Sequence, residues 1–459
     1  MTTRRATRAV FQAIFALALW LMNSFPGGRP LSAQTNWPEF RGPAGNGHAT
    51  AQHLPTKFNE TDNVRWKTAL SGRAWSSPVI WGNQLWVTTA TVDGSTMSAV
   101  GLDKQTGEIL HEVRVFDVAN PREIHFTNTY ASGTPVIEED RLYVHFGSYG
   151  TACLHTDSGQ ILWQRQDLPC HHWRGPGSSP ILDGDKLIFH LDGYDYQYAI
   201  AVNKRTGETI WRTPRSHDYH SDNGDHKKAY GTPLVITAGG RRQLISPTAK
   251  GTVSLDPKTG EELWFVGWEQ HSTACRPVFE NGLVFLTSGF PKAERFSVDP
   301  TGTGDVTKTH VVWHSRRGIP SKPSPLWVDG LLYLVHDSGI LHCMDASNGD
   351  TVWQKRLGGS FSSSPLSADG KIYLLSREGA AIVIAPGREY RELAVNQFNS
   401  GFEAAAAVSD NALFLRTTTH LYRIESDQVG QTPPPERSQK SSQKGSQESS
   451  PRGSSERDQ

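Results

Sequence analysis

The sequence predicts an all-β fold, an eight-bladed β-propeller of four-stranded blades whose ring is closed by an N-terminal strand in the last blade. Three observations carry this: a unit that recurs every 40 to 57 residues, an eighth copy short of its last strand, and a lone strand near the opposite end. Repetition at such a period is the mark of propellers and solenoids. Four short strands per unit select the propeller.

The unit opens with small residues and a proline, as in Ser76-Ser77-Pro78-Val79, and turns into an apolar strand, Gln84-Leu85-Trp86-Val87. A third strand runs into the turn Asp103-Lys104-Gln105-Thr106-Gly107-Glu108, and a fourth follows. The opening proline recurs as Pro135, Pro180, Pro233, Pro277, Pro325 and Pro365, and a tryptophan after the turn as Trp163, Trp211, Trp264, Trp313 and Trp353. Proline is tolerated only near the start of an inner strand. Glycine supplies the positive φ that a tight hairpin needs. The tryptophan offers a large apolar face for docking on a neighbouring blade.

The eighth copy, 404–425, holds three strands and then turns polar, whereas Asn63-Val64-Arg65-Trp66-Lys67-Thr68 has the look of a fourth strand standing alone. Pairing the two closes the ring and removes the free edges that invite aggregation. The expected organisation is an export signal at 1–33, a leader at 34–59, the propeller at 60–425 and a disordered tail at 426–459. Arg4, Arg5 and Arg8 before the apolar run 9–22, and Leu31-Ser32-Ala33 after it, give the signal, with cleavage after Ala33 and export to the periplasm or beyond. The alternative is an uncleaved anchor, although the run falls short of the roughly 20 residues that span a bilayer. The tail, rich in Ser, Gln and Pro, has too little apolar surface to order itself.

The Ser-x-Pro inner strand, the Asp-x-x-Thr-Gly-Glu turn and the docking tryptophan together resemble the PQQ-type repeat of quinoprotein-like and BamB-like β-propellers, over about 60–425. The leader Asn36-Trp37-Pro38-Glu39-Phe40-Arg41-Gly42-Pro43 and the stretch from Cys170 to Pro180 are similar to an exported, planctomycete-like bacterial branch of these proteins. The resemblance implies either a scaffold or a quinoprotein dehydrogenase. For the second it implies PQQ beneath an adjacent-cysteine disulfide, with calcium and a catalytic aspartate. Cys153, Cys170, Cys275 and Cys343 include no adjacent pair, and no position accepts the dehydrogenases' acidic and amide ligands. PQQ and calcium therefore stay open without the support of an adjacent-cysteine pair, and the cofactor and the catalytic residues are left unassigned. The cysteines are expected as buried thiols.

With 46 basic and 46 acidic residues there is no global field to recruit nucleic acid, so any electrostatic site is local. Segments that enter the inner strands of a propeller surround its axial funnel, where ligand sites gather. Arg73, His125, His172, Arg174, Lys228, His271, Arg276 and Lys322 occur there, at six consecutive blade entrances. If they face one mouth, its cationic rim can hold an anion by charge-assisted hydrogen bonds. If they do not, they are basic chains on a solvated face.

The segment 217–226 is dense in ligand atoms. His217, His220 and His226 suit a transition metal, and Asp222 and Asp225 suit calcium, but the spacing matches no complete metal motif and a solvated loop is expected. No Gly-x-Ser-x-Gly elbow, phosphate loop or His-Glu-x-x-His is present; His111-Glu112 lacks the second histidine. The leading expectation is a monomeric, non-catalytic binding or scaffold protein. It would present its funnel and loops to a protein, a peptide, or an anionic glycan or small molecule, without a membrane span in the mature chain. The rival is a PQQ-dependent oxidoreductase.

Overall fold

The computed structural model describes residues 36–426, so the expected signal at 1–33 and the tail beyond Ser426 lie outside the described residues. Eight sheets form the ring. Blades 1 to 7 open with the inner strands Val79–Trp81, Val136–Glu138, Ile181–Asp183, Leu234–Ala238, Val278–Glu280, Leu326–Val328 and Leu366–Ala368. Blade 8 opens with Ala407–Ser409, and its outermost strand is Val64–Ala69, which pairs antiparallel with His420–Ile424. The expected closure is present, with Trp66 opposite Arg423. Two blades carry an extra short strand: Gly304–Asp305 runs parallel to Glu262–Gly267 on blade 4, and His48–Ala49 runs parallel to the inner strand of blade 7.

The blade-to-blade contact explains why the turn and the tryptophan recur together. The indole of Trp66 donates to the Lys104 carbonyl at 3.0 Å, that of Trp163 to Lys204 at 3.0 Å, that of Trp211 to Pro257 at 3.2 Å and that of Trp313 to Ala346 at 3.0 Å. In each case the tryptophan of one blade lies on the turn of the next. A β-carbon at Gly107 would stand 2.5 Å from the Trp66 ring, and one at Gly207 would stand 2.7 Å from Trp163. Glycine is thus required twice, for its positive φ and for the indole lying on it. Trp264 departs from the rule and donates within its own blade, to Gln243 Oε1 at 2.7 Å.

The leader crosses the face opposite the blade entrances. Trp37 exchanges two backbone hydrogen bonds of 2.8 Å with Ile80 of blade 1, and the Pro38 carbonyl accepts from Ile137 of blade 2 at 2.8 Å. The chain then passes blades 5 and 6 and joins blade 7, where Ser367 donates to the Gly47 carbonyl at 2.8 Å. Farther along, the Gln52 and Leu54 amides bond to the Asn411 and Asp369 side chains in turns of blades 8 and 7. The segment that had no structural role by sequence closes the axial channel from below. The four cysteines are free and buried. No helix among the described residues is long and apolar enough to cross a membrane.

Candidate functional site

Above the leader the axis opens into a funnel of about 550 Å³ lined by residues from every blade. Its floor is Phe40 from the leader, and its lower wall is made by the residues just before the blade prolines, among them Ser77, Thr134, Ser179, Thr232 and Ser364. Trp75, Tyr230 and Phe290 supply aromatic surface, while His125, Arg174, His271 and Lys322 supply nitrogen.

Four of the eight expected rim residues therefore line one mouth. Lys228 stands directly behind it, buried, with its ammonium against the Asp225 carboxylate and 3.4 Å from the Tyr230 hydroxyl. Arg73 lines a smaller adjoining cavity of about 210 Å³ beside His125; it donates to the Phe126 carbonyl at 2.8 Å and stacks over Trp75. His172 is not on the rim. It is buried with Nδ1 3.7 Å from Cys170 Sγ, and burial pushes its pKa down to about 4. Arg276 is below the floor, because the residue adjacent to the blade proline is already in the belt of the inner strands and its long side chain turns down onto the leader. It bonds to Glu39 Oε1 at 2.8 Å and to the Phe40 carbonyl.

The charges at the mouth do not cancel. Arg174, at 3.3 Å, and Lys228 share the one carboxylate of Asp225. Burial raises the Asp225 pKa, but hydrogen bonds and charge from Lys228 and Arg174 outweigh it and hold the group below its ordinary value. Glu403 is taken by Arg377 at 2.7 Å. Lys322 is exposed and has no carboxylate within ion-pair distance among the described residues. His125 is held low by burial and then by the charges of Arg174, Lys322 and Lys228. Burial first, and then His226 stacked 4.8 Å away, push His271 down to about 4.

The histidine-rich segment does not converge. His217 bonds to the Ala249 carbonyl at 2.9 Å and stacks on Phe265. His220 faces Asp218 at 3.0 Å, Asp222 is exposed, and His226 bonds to Ser221 at 2.9 Å. Among the described residues no group of three His, Cys, Asp or Glu side chains is arranged to hold a metal ion. The funnel also offers no adjacent cysteines, and its two carboxylates are already paired with Arg and Lys.

Sequence reasoning missed Phe40, Glu403 and Phe290 in the funnel and the other exposed aromatics of the entrance face. Phe126, Trp173, Tyr194, Tyr196 and Phe290 stand exposed, all on loops of the entrance face. A signal was available for these: an aromatic in a polar connecting segment has no inner-strand position to fill.

A ring of four-stranded blades with tryptophan-on-glycine docking and a funnel at the strand entrances defines a PQQ-like β-propeller repeat protein. The family model described as outer membrane protein assembly factor BamB matches residues 49–165, 119–244 and 302–393, more than half of the chain, and the chain belongs to this family. No curated protein matches the sequence. Among solved structures, BamB from Moraxella catarrhalis is similar at a TM-score of 0.55 and 13% identity, over 79% of this chain and 98% of that one. A europium-containing methanol dehydrogenase is similar at 0.61 and 10% identity, over 85% and 98% of the two chains. Quinohemoprotein alcohol dehydrogenase from Comamonas testosteroni is similar at 0.58 and 12% identity, over 84% and 80%. At these identities the likeness shows the fold alone.

Proposed function

We propose that this chain is an exported binding module that holds the anionic part of a ligand in its axial funnel, the ligand being a protein, a peptide or a small molecule. The observation that carries the reading is the surplus of cationic side chains at the mouth: Arg174 and Lys228 share one carboxylate and Lys322 has none among the described residues. A concave, low-dielectric mouth focuses such a field and draws in anions. Exposed aromatics around it give apolar contact area for the rest of the ligand. The family match to an assembly factor supports a scaffold role.

Titration with a tetraglutamate peptide and with citrate tests the reading. Saturable binding is expected, weakening as salt rises, and Lys322→Glu is expected to weaken it about five- to tenfold, the range for reversing one partly exposed charge. Binding that is insensitive to both salt and Lys322→Glu would overturn it.

A further inference from the structure

The residues just before the blade prolines form a belt with a single sense of hydrogen bonding. The Ala405 amide donates to Ser77 Oγ at 3.0 Å, Ser77 to Thr134 Oγ1 at 2.9 Å, Thr134 to Ser179 Oγ at 2.9 Å and Ser179 to Thr232 Oγ1 at 3.2 Å. On the other side Arg276 donates to Ser324 Oγ at 2.9 Å and Ser324 to Ser364 Oγ at 3.0 Å. The belt breaks only where Arg276 and Ala405 replace the hydroxyl residue. Every hydroxyl in it is an acceptor toward its own neighbour, so each keeps its proton to donate.

That polarity has a consequence at the funnel. Ser77, Thr134, Ser179, Thr232 and Ser364 line the cavity, each more than nine-tenths buried, and none donates to a protein acceptor among the described residues. Four of them, Ser77 to Thr232, make an unbroken arc across blades 1 to 4. Arg174 reaches the same cavity from the connection between blades 2 and 3, and Tyr230 from the entrance of blade 4. A buried hydroxyl proton without an acceptor costs free energy, so the arc calls for a group that accepts many hydrogen bonds and donates few. A carboxylate presents two oxygens. A sulfate or phosphate monoester presents three, spread widely enough to meet neighbouring hydroxyls and a guanidinium together.

We infer that the arc Ser77–Thr134–Ser179–Thr232, beneath Arg174, is a binding site for a tetrahedral oxyanion, a sulfate or phosphate group, free or as a monoester. The inference rests on the anion-binding reading of the funnel and names the chemistry at its base. Hydroxyl protons supply the short-range selection, and the cations of the mouth supply the attraction.

Ser324 gives the test its control. It accepts the Arg276 amide at 2.9 Å, the same structural service that Ser179 gives Thr134, yet it does not line the funnel. Calorimetric titrations of the wild type, Ser179→Ala, Thr134→Ser and Ser324→Ala would use inorganic sulfate, inorganic phosphate, phenyl sulfate, phenyl phosphate and glucose. Ser179→Ala is expected to weaken oxyanion binding about tenfold, the value of one hydrogen bond to a charged acceptor. Thr134→Ser and Ser324→Ala should stay within about twofold of the wild type. The two alanine variants should melt alike, since each orphans one backbone amide. Equal affinity of Ser179→Ala and Ser324→Ala, or glucose binding as tightly as the esters, would overturn the inference. The charge reading of the mouth would then survive if Lys322→Glu still weakened tetraglutamate. Tighter binding of the phenyl esters than of the free ions identifies the source as a larger esterified ligand, and the reverse identifies the free ion.

Discussion

Glu39→Gln is expected to destabilise the protein by about 3–5 kcal/mol, the usual cost of breaking a buried ion pair from one side. The substitution keeps the shape and one acceptor oxygen, and replaces the charge and the second oxygen by a neutral NH2. Arg276 is 1% exposed and is fixed by Glu39 at 2.8 Å, by the Pro233 carbonyl at 3.2 Å and by the Phe40 carbonyl. Among the described residues no other carboxylate lies within ion-pair distance of Arg276. Arg41 and Arg295 are equally buried, and neither has a carboxylate within ion-pair distance among the described residues. Burial, then the charges of Arg276 and Arg295, already lower the Arg41 pKa to about 9. Of these three guanidiniums only Arg276 has a carboxylate within ion-pair distance among the described residues, and that carboxylate, Glu39, belongs to the leader. Losing it loosens the floor of the funnel as well as the ring. Urea midpoints of Glu39→Gln, Arg276→Met and the double variant check this. The double variant should recover most of the loss, because removing both charges also removes the unpaired one. Single variants each costing under about 1 kcal/mol would show that the pair is not what holds the leader.

The ring was legible in the sequence because each blade repeats the same local needs: proline at the start of a crowded strand, glycine in a turn, tryptophan after it. The leader was not, since Trp37, Phe40 and Arg41 belong to no repeat and pair with residues up to 284 positions away, as Arg41 does with Pro325. The site was half legible. Position before an inner strand placed His125, Arg174, His271 and Lys322 at one mouth, but the entrance segments differ in length, so that position does not fix depth along the axis. Arg276 shows the failure: its immediate neighbour is Pro277, which puts its backbone in the hydroxyl belt and its guanidinium beneath the floor. The belt was visible as Ser-Pro and Thr-Pro pairs, but the direction of its hydrogen bonds depends on neighbouring blades and needed the structure.

Stability is expected to fall steeply as the pH drops from about 6.5 to 4.5, before most carboxylates titrate. His145, His172 and His190 are buried in and beside blades 2 and 3. Burial, and then the charge of His172, push His145 down to about 3; burial pushes His172 to about 4; burial and then Arg215 hold His190 well below its ordinary value. Geometry explains why His190 resists a proton. Its Nδ1 faces the Gly231 carbonyl at 3.2 Å and must donate, which leaves Nε2 to accept from Ser246 Oγ at 2.8 Å. Ser246 is held in that sense by Arg215, which donates to it at 2.6 Å and is itself paired with the buried Asp192 at 2.8 Å. A second proton on His190 would have to turn Ser246 against Arg215. The sign follows: below pH 6.5 the unfolded chain takes up these protons and the folded protein does not, so each step down in pH favours unfolding until the lowered pKa is reached. Each histidine contributes up to about 1.4 kcal/mol per pH unit while its folded form stays neutral, a large share of the stability of many domains once the three act together. Urea midpoints measured at pH 7.0, 6.0 and 5.0 should therefore drop by an increasing step. His190→Gln, which can keep one donor and one acceptor, should lower stability at pH 7 yet reduce the slope below pH 6 by about one proton. An unchanged slope would place the acid sensitivity elsewhere, and a flat profile from pH 7 to 5 would mean that these imidazoles take up protons in the folded ring.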